Sequence, residues 1–171
     1  VNIFPTSNSP WASAEALDDK RLVRQASEAV IILSTACAVL DLPAPYGVHQ
    51  PEHGLIQWLA ADPRQWLWGW HYALACNLLY TKTYGRRCVS EQYLDAMIAD
   101  HRVRFGRMEW CKRDKPPAFT FHNAASNQAL GLDFRDVPDT LEAYRLYLSA
   151  RWLLDKRPPV WTGRPMPGWR V

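Results

Sequence analysis

Asp62 and Pro63 open, and Gly85 closes, a stretch of the chain whose local chemistry leads to one long helix. Asp is a good N-cap, Pro has no N–H to lose and a preset φ at the first helical position, and Gln65 is placed to close a capping box. Gly85 supplies the left-handed residue on which helices end. The surface between them is aromatic, carrying Trp66, Trp68, Trp70, His71, Tyr72, Tyr80 and Tyr84.

The rest of the pattern is helical too. Asn8, Ser9 and Pro10 punctuate an extended start, with Ile3 and Phe4 turned into the body, before an Ala-rich turn from Trp11. Residues 17–40 read as the first long helix, with Leu22, Ala26, Ala29, Val30, Leu33, Cys37 and Leu40 forming one core stripe. Arg21, Arg24 and Glu28 lie on the opposite side, and Ile31 and Ile32 turn that side apolar. Glu28 therefore stands at the edge of burial, paired one turn away with Arg24. A Pro-containing loop leads to a short helix over residues 52–60, and a fourth long pattern runs over residues 90–105 to Gly106.

Residues 107–138 read as an irregular stretch with a basic start (Arg107, Lys112, Arg113, Lys115) and a polar cluster of His122, Asn123 and Asn127. Asp139 and Glu142 form a second capping box for a last helix to Leu154, and a tail from Asp155 interleaves basic residues with Pro and Trp. Neither an internal repeat nor a run suited to a substantial sheet is present. The expectation is one mainly α domain over residues 1–171, a helical bundle with long irregular loops.

Hydrophobic residues make up 48% of the 171-residue chain and charged residues 22%, which favours a folded core over disorder. The net charge of +3 permits a nucleic-acid partner without requiring one. Nine Trp offer flat surfaces on which bases could stack, though for any single one filling the core is the favoured account. Cys37, Cys76, Cys88 and Cys111 form no CxxC pair, and with no signal-peptide pattern this suggests reduced thiols and a cytoplasmic location. No wholly apolar run approaches the ~20 residues of a membrane span, so no membrane association is expected.

The segment HQPEH, residues 49–53, has the letters of an HxxEH zinc motif. That motif needs both His on one helical face, and Pro51 disfavours helix at Gln50, so zinc is rejected. No phosphate-cradling glycine loop and no GxSxG elbow occurs, so neither a nucleotide cofactor nor a metal is expected. The best chemical candidate is the cluster Asp18, Asp19, Lys20, Arg21, Arg24 and Glu28, whose cations suit a phosphate and whose half-buried Glu suits a general base. Spacing alone favours a solvated helix face with one ion pair. The argument for a site is conjunction: a charged helix face, an aromatic helix bearing His71, and a basic, Trp-bearing tail.

Several segments together resemble one group of proteins. They are NIF (2–4), ALDDKRLVRQASEA (16–29), HQPEHGLIQWL (49–59), YTKTYGRR (80–87), HNAASNQALGLDF (122–134), the EAYRLYL helix and the closing PVWTGRPMPGW. Across nearly the whole chain these are similar to small phage and bacterial helical proteins. The group includes pyrimidine dimer DNA glycosylases of the endonuclease V type. It also includes the α-glutamyl/putrescinyl thymine pyrophosphorylases, or amino acid:DNA transferases, of phages with hypermodified thymine.

The resemblance implies a DNA-glycosylase-like fold, a DNA substrate and a phage-encoded enzyme of the host cytoplasm. Its transferase branch implies DNA carrying phosphorylated or pyrophosphorylated 5-hydroxymethyluracil, made by a separate DNA base kinase. An amino acid (glycine is one option) or another amine displaces the (pyro)phosphate at the 5-methylene carbon, without a cofactor. Glu28, Asp19 and His71 would then be catalytic, and Lys20, Arg21, Arg24, Arg86, Arg157 and Arg164 would bind phosphate and DNA. Trp66, Tyr80, His122 and Asn123 would wall the base. Its glycosylase branch implies attack on the sugar C1′ by a free N-terminal amine, assisted by a Glu. Asn2 is large for efficient removal of a preceding Met, which puts this branch second. A non-catalytic DNA-binding accessory protein is the third reading.

Overall fold

The computed structural model describes residues 2–107 and 119–170. Six α-helices are joined by irregular segments: α1 (Pro10–Glu15), α2 (Asp19–Val39), α3 (Gly54–Ala61), α4 (Pro63–Tyr84), α5 (Leu94–Phe105) and α6 (Thr140–Leu154). A single turn of tighter helix, Val89–Tyr93, leads into α5, where the sequence pattern predicts helix from residue 90. The strand pairing among the described residues is two residues long, Ser126–Asn127 against Leu132–Asp133, antiparallel around Gly131. The mainly α expectation holds at that level.

The helix ends form where local chemistry puts them. Asp62 caps α4 by accepting from Arg64 N at 2.7 Å, Pro63 follows, and Gly85 ends the helix at φ 67. Neither capping box closes as expected. Gln65 turns to Trp58, and Glu142 pairs with Arg145 at 3.3 Å, while Asp139 alone caps α6 through Leu141 N. On α2 the predicted stripe is buried from Leu22 to Cys37, with Leu40 half-buried beyond the helix end.

α2 and α4 are the packed centre, flanked by α1 and α3. Gly69 is the close approach between α4 and its neighbours: a Cβ there would lie 2.8 Å from Leu59 and 3.2 Å from Leu33. Among the described residues α2 is the one helix long and apolar enough to cross a membrane, where the absence of a wholly apolar run had excluded any span. Its polar residues are spread so thinly that length and composition pass the test, yet its apolar side is covered by α3 and α4 as a core helix.

The tail is a strap rather than a free basic arm. Val160 O accepts from Asp19 N at 2.8 Å, Trp161 Nε1 donates to Ala16 O at 3.0 Å, and Thr162 Oγ1 donates to Asp19 at 2.6 Å. Trp161 and Trp169 both pack on Trp152 of α6. The tail thereby clamps the start of α2 against the end of α6.

Candidate functional site

At Asn2 the extended start of the chain meets α2, the loop 119–125 and α6. The side chain of Glu28 is 17% exposed. Its Oε1 accepts from the backbone N–H of Asn2 at 3.3 Å, and its Oε2 accepts from Arg24 Nε and Gln25 Nε2, each at 3.1 Å. Gln25, itself buried, also donates to Asn2 O at 3.0 Å and accepts from the Tyr72 hydroxyl at 3.2 Å. Burial pushes that hydroxyl's pKa well above the ordinary tyrosine value, so Tyr72 remains a donor. Asn2 is fixed from its other side, where the Tyr144 hydroxyl lies 3.0 Å from Oδ1 and accepts from Ala124 N at 3.2 Å.

Above this knot opens a cleft of about 510 Å³. Lys20, Arg21, Arg24, Arg135 and Arg151 give it a cationic wall, and Phe4 and Tyr147 an aromatic one, their rings stacked at 6.1 Å and 16°. His53, Gly54, His122, Asn127 and Ser126 complete the lining, along with Asn2, Gln25, Asn123 and Ala124. The cations are not equivalent. Arg21 is 8% exposed and held by Asp18 at 2.8 Å and Asp155 at 2.9 Å, leaving its Nη2 buried with no hydrogen-bond partner among the described residues. Lys20 reaches Asp155 at 2.7 Å. Burial alone would raise the Asp155 pKa, but the hydrogen bonds from Lys20 and Arg21 outweigh it and hold the carboxyl below its usual range. Arg135 grips Asp133 at 2.8 Å, and its hydrogen bonds hold that carboxyl at about 2. Arg151 has no acidic partner among the described residues.

The structure therefore brings together Glu28, Lys20, Arg21, Arg24, His122 and Asn123 of the expected site residues. Asn123 is mainly structural. Its amide accepts from Ala125 N and donates to the carbonyls of Phe134 and Arg135, closing the loop under the cleft. The others lie elsewhere. Asp19 holds the tail through Thr162 and Arg164, and Arg164 is 4% exposed, bonded to Asp19 and to the carbonyls of Glu15 and Leu17. Both are corrections: a cation so enclosed is the strap's anchor, not a contact for DNA. Trp66 is fully buried and stacked on His101 at 4.3 Å, so it cannot wall a base. His71 lines a second, smaller cavity with His101 and Arg102, and Tyr80 packs on Tyr84. Arg86 and Arg157 are exposed and do not line the cleft. Lys112, Arg113, Lys115 and Cys111 lie outside the described residues, as does the amine of Val1.

Compared with family models, curated proteins and solved structures, the chain gives no match.

Sequence reasoning missed His53, Gln25, Phe4, Tyr147, Arg135 and Arg151. His53 was weighed only as half of a zinc motif. It is instead the N-cap of α3, with Nδ1 accepting from Leu55 N at 3.2 Å, while Gln50 sits at φ 52 and the helix starts only at Gly54. His49 and His53 thus share no helical turn. The ring of His122 stands beside Gly54, where a Cβ would lie 3.0 Å from its Cε1. Burial lowers the pKa of both His53 and His122, so the pair is neutral near pH 7.

Proposed function

We propose that this chain is a DNA-base-modifying enzyme that transfers an amino acid or another amine onto the 5-methylene carbon of an activated 5-hydroxymethyluracil in DNA. One observation carries the reading: a single half-buried carboxylate, Glu28, lies in a cleft walled by five cations and a stacked aromatic pair. The cations suit a nucleic-acid backbone and a departing phosphate, and Phe4 with Tyr147 suits the face of a base turned out of the stack.

In the reaction, Glu28 takes a proton from the incoming ammonium group. The freed nitrogen pair forms the C–N bond at the 5-methylene carbon, and the C–O bond to phosphate or pyrophosphate breaks with its electrons leaving on oxygen. Arg24 and Lys20, the exposed cations, stabilise that charge. Activation of the hydroxymethyl group requires a separate kinase acting on the DNA base.

A second reading, a pyrimidine dimer glycosylase with lyase activity, is favoured by the backbone of Asn2 lying on the same carboxylate. An amine borne at that end of the chain would be the nucleophile. Nucleoside mass spectrometry and gels on two substrates separate the readings. Kinase-activated 5-hydroxymethyluracil DNA plus an amino acid mixture should yield a heavier nucleoside on unbroken DNA. Strand breaks confined to irradiated DNA would establish the glycosylase instead. Salt-sensitive DNA binding with neither product would leave an accessory binding protein.

A further inference from the structure

We infer that His53 is a fixed-tautomer hydrogen-bond donor in the cleft, presenting its Nε2–H to a carbonyl oxygen of a bound pyrimidine base. The inference rests on the cleft being a base site and concerns how that base is recognised. A neutral imidazole carries one N–H, and the other nitrogen is an acceptor. Here Nδ1 accepts the backbone N–H of Leu55 at 3.2 Å as the N-cap of α3, so its lone pair is committed and the proton resides on Nε2. Protonating Nδ1 would set one N–H against another and uncap the helix, and partial burial in the same place disfavours the charged ring. The residue lines the cleft, half-buried, with Nε2 the nitrogen left for a ligand.

A neutral donor differs in kind from its surroundings. Lys20, Arg21, Arg24, Arg135 and Arg151 already offer charge to phosphate oxygens, and these attract anions far more strongly than an uncharged N–H does. An uncharged, directional donor beside a stacking pair instead suits the exocyclic oxygen of a pyrimidine ring, where loss of one hydrogen bond discriminates between bases. Gly54 supports the arrangement. Its lack of a side chain leaves the ring of His122 room against the start of α3, next to His53.

The test is long-range proton–nitrogen NMR of the imidazoles in the intact protein, with a short oligothymidylate as probe and an abasic oligonucleotide of equal length as control. The expected result is an Nε2–H tautomer for His53 in the free protein, with Nε2 shifting on oligothymidylate and Nδ1 unmoved. The abasic strand, which keeps the phosphates, should leave Nε2 where it was. H53S keeps a capping oxygen for Leu55 N and leaves no donor at the position of the ring Nε2–H. It should melt within a few degrees of wild type and bind oligothymidylate about tenfold more weakly, with affinity for the abasic strand unchanged. An Nδ1–H tautomer, an Nε2 that ignores oligothymidylate, or an equal response to the abasic strand overturns the inference. None of these readouts requires transfer. A protein that makes no modified nucleoside yet passes them would lose the proposed reaction and keep the donor, and the converse would lose the donor alone.

Discussion

The backbone N–H of Asn2 and Oε1 of Glu28 lie 3.3 Å apart, joining the extended start of the chain to the middle of α2, on the side opposite its core stripe. Because Gln25 and Arg24 donate to Oε2, the carboxylate is positioned from three sides. Glu28→Gln keeps the shape and the acceptor for Asn2 but cannot take a proton. Its amide would also face Arg24 and Gln25 with a donor, a loss on the order of 1 kcal/mol in stability. Turnover should fall at least 10²-fold, roughly the contribution of a general base, while DNA affinity is retained. Normal transfer by Glu28→Gln, read by nucleoside mass spectrometry, would remove Glu28 from the mechanism.

Arg24 and Arg164 should separate cleanly, although both were expected to contact DNA. Arg24 is 78% exposed at the cleft, so Arg24→Ala should weaken DNA binding and lower the salt slope by about 1, with little effect on melting. Arg164 is enclosed, and Arg164→Ala removes the cation paired with Asp19, which keeps only Thr162, and the donor to two carbonyls, costing about 3 kcal/mol. Equal salt slopes for the wild type and Arg24→Ala, measured by titration at several ionic strengths, would place DNA elsewhere.

What could be read from the sequence was local, and what could not was relational. Asp62, Pro63 and Gly85 act within a few residues of themselves, and the stripe from Leu22 to Cys37 needs only the helical period, so these features were legible. Arg21 was expected on the solvated side of α2, but Asp155 and the tail close over it, a contact 134 residues away along the chain. Phe4 and Tyr147 are unremarkable separately and become an aromatic wall only when the start of the chain lies along α6. The same holds for the basic tail. Its composition suggested a nucleic-acid arm, and only the pairing of Arg164 with Asp19 shows that one of its charges is already neutralised.

Gly54 offers a substitution that acts on the site without unmaking the fold. Helix propensity favours Ala there by up to about 1 kcal/mol, and no unusual φ opposes it. The new Cβ, 3.0 Å from His122 Cε1 and 3.1 Å from its Nε2, requires the imidazole that lines the cleft to give by a few tenths of an ångström. Gly54→Ala should therefore melt no lower than the wild type and lose several-fold in oligothymidylate affinity. Unchanged affinity in fluorescence titrations would mean that the position of His122 does not matter to the ligand.

His101 carries the clearest pH dependence of stability. The residue is 1% exposed, its ring stacked on Trp66 at 4.3 Å and tilted against Phe105 at 4.8 Å, and its Nε2 has no hydrogen-bond partner among the described residues. Burial lowers its pKa from 6.5 to about 4, with Arg102 adding to the effect and a backbone hydrogen bond at Pro63 opposing it. The unfolded chain therefore binds a proton that the native state refuses, so stability is intact above pH 6.5 and declines as the pH falls towards 4. The difference amounts to at most about 3 kcal/mol. His71, also lowered by burial and by Arg102, acts in the same direction, so the informative quantity is the difference between proteins. His101→Phe keeps a ring against Trp66 and removes the titration. Denaturant melts from pH 7 down towards pH 4 should show a shallower loss of stability for His101→Phe than for the wild type. Parallel curves would mean that His101 takes up its proton as readily in the folded protein as in the unfolded chain.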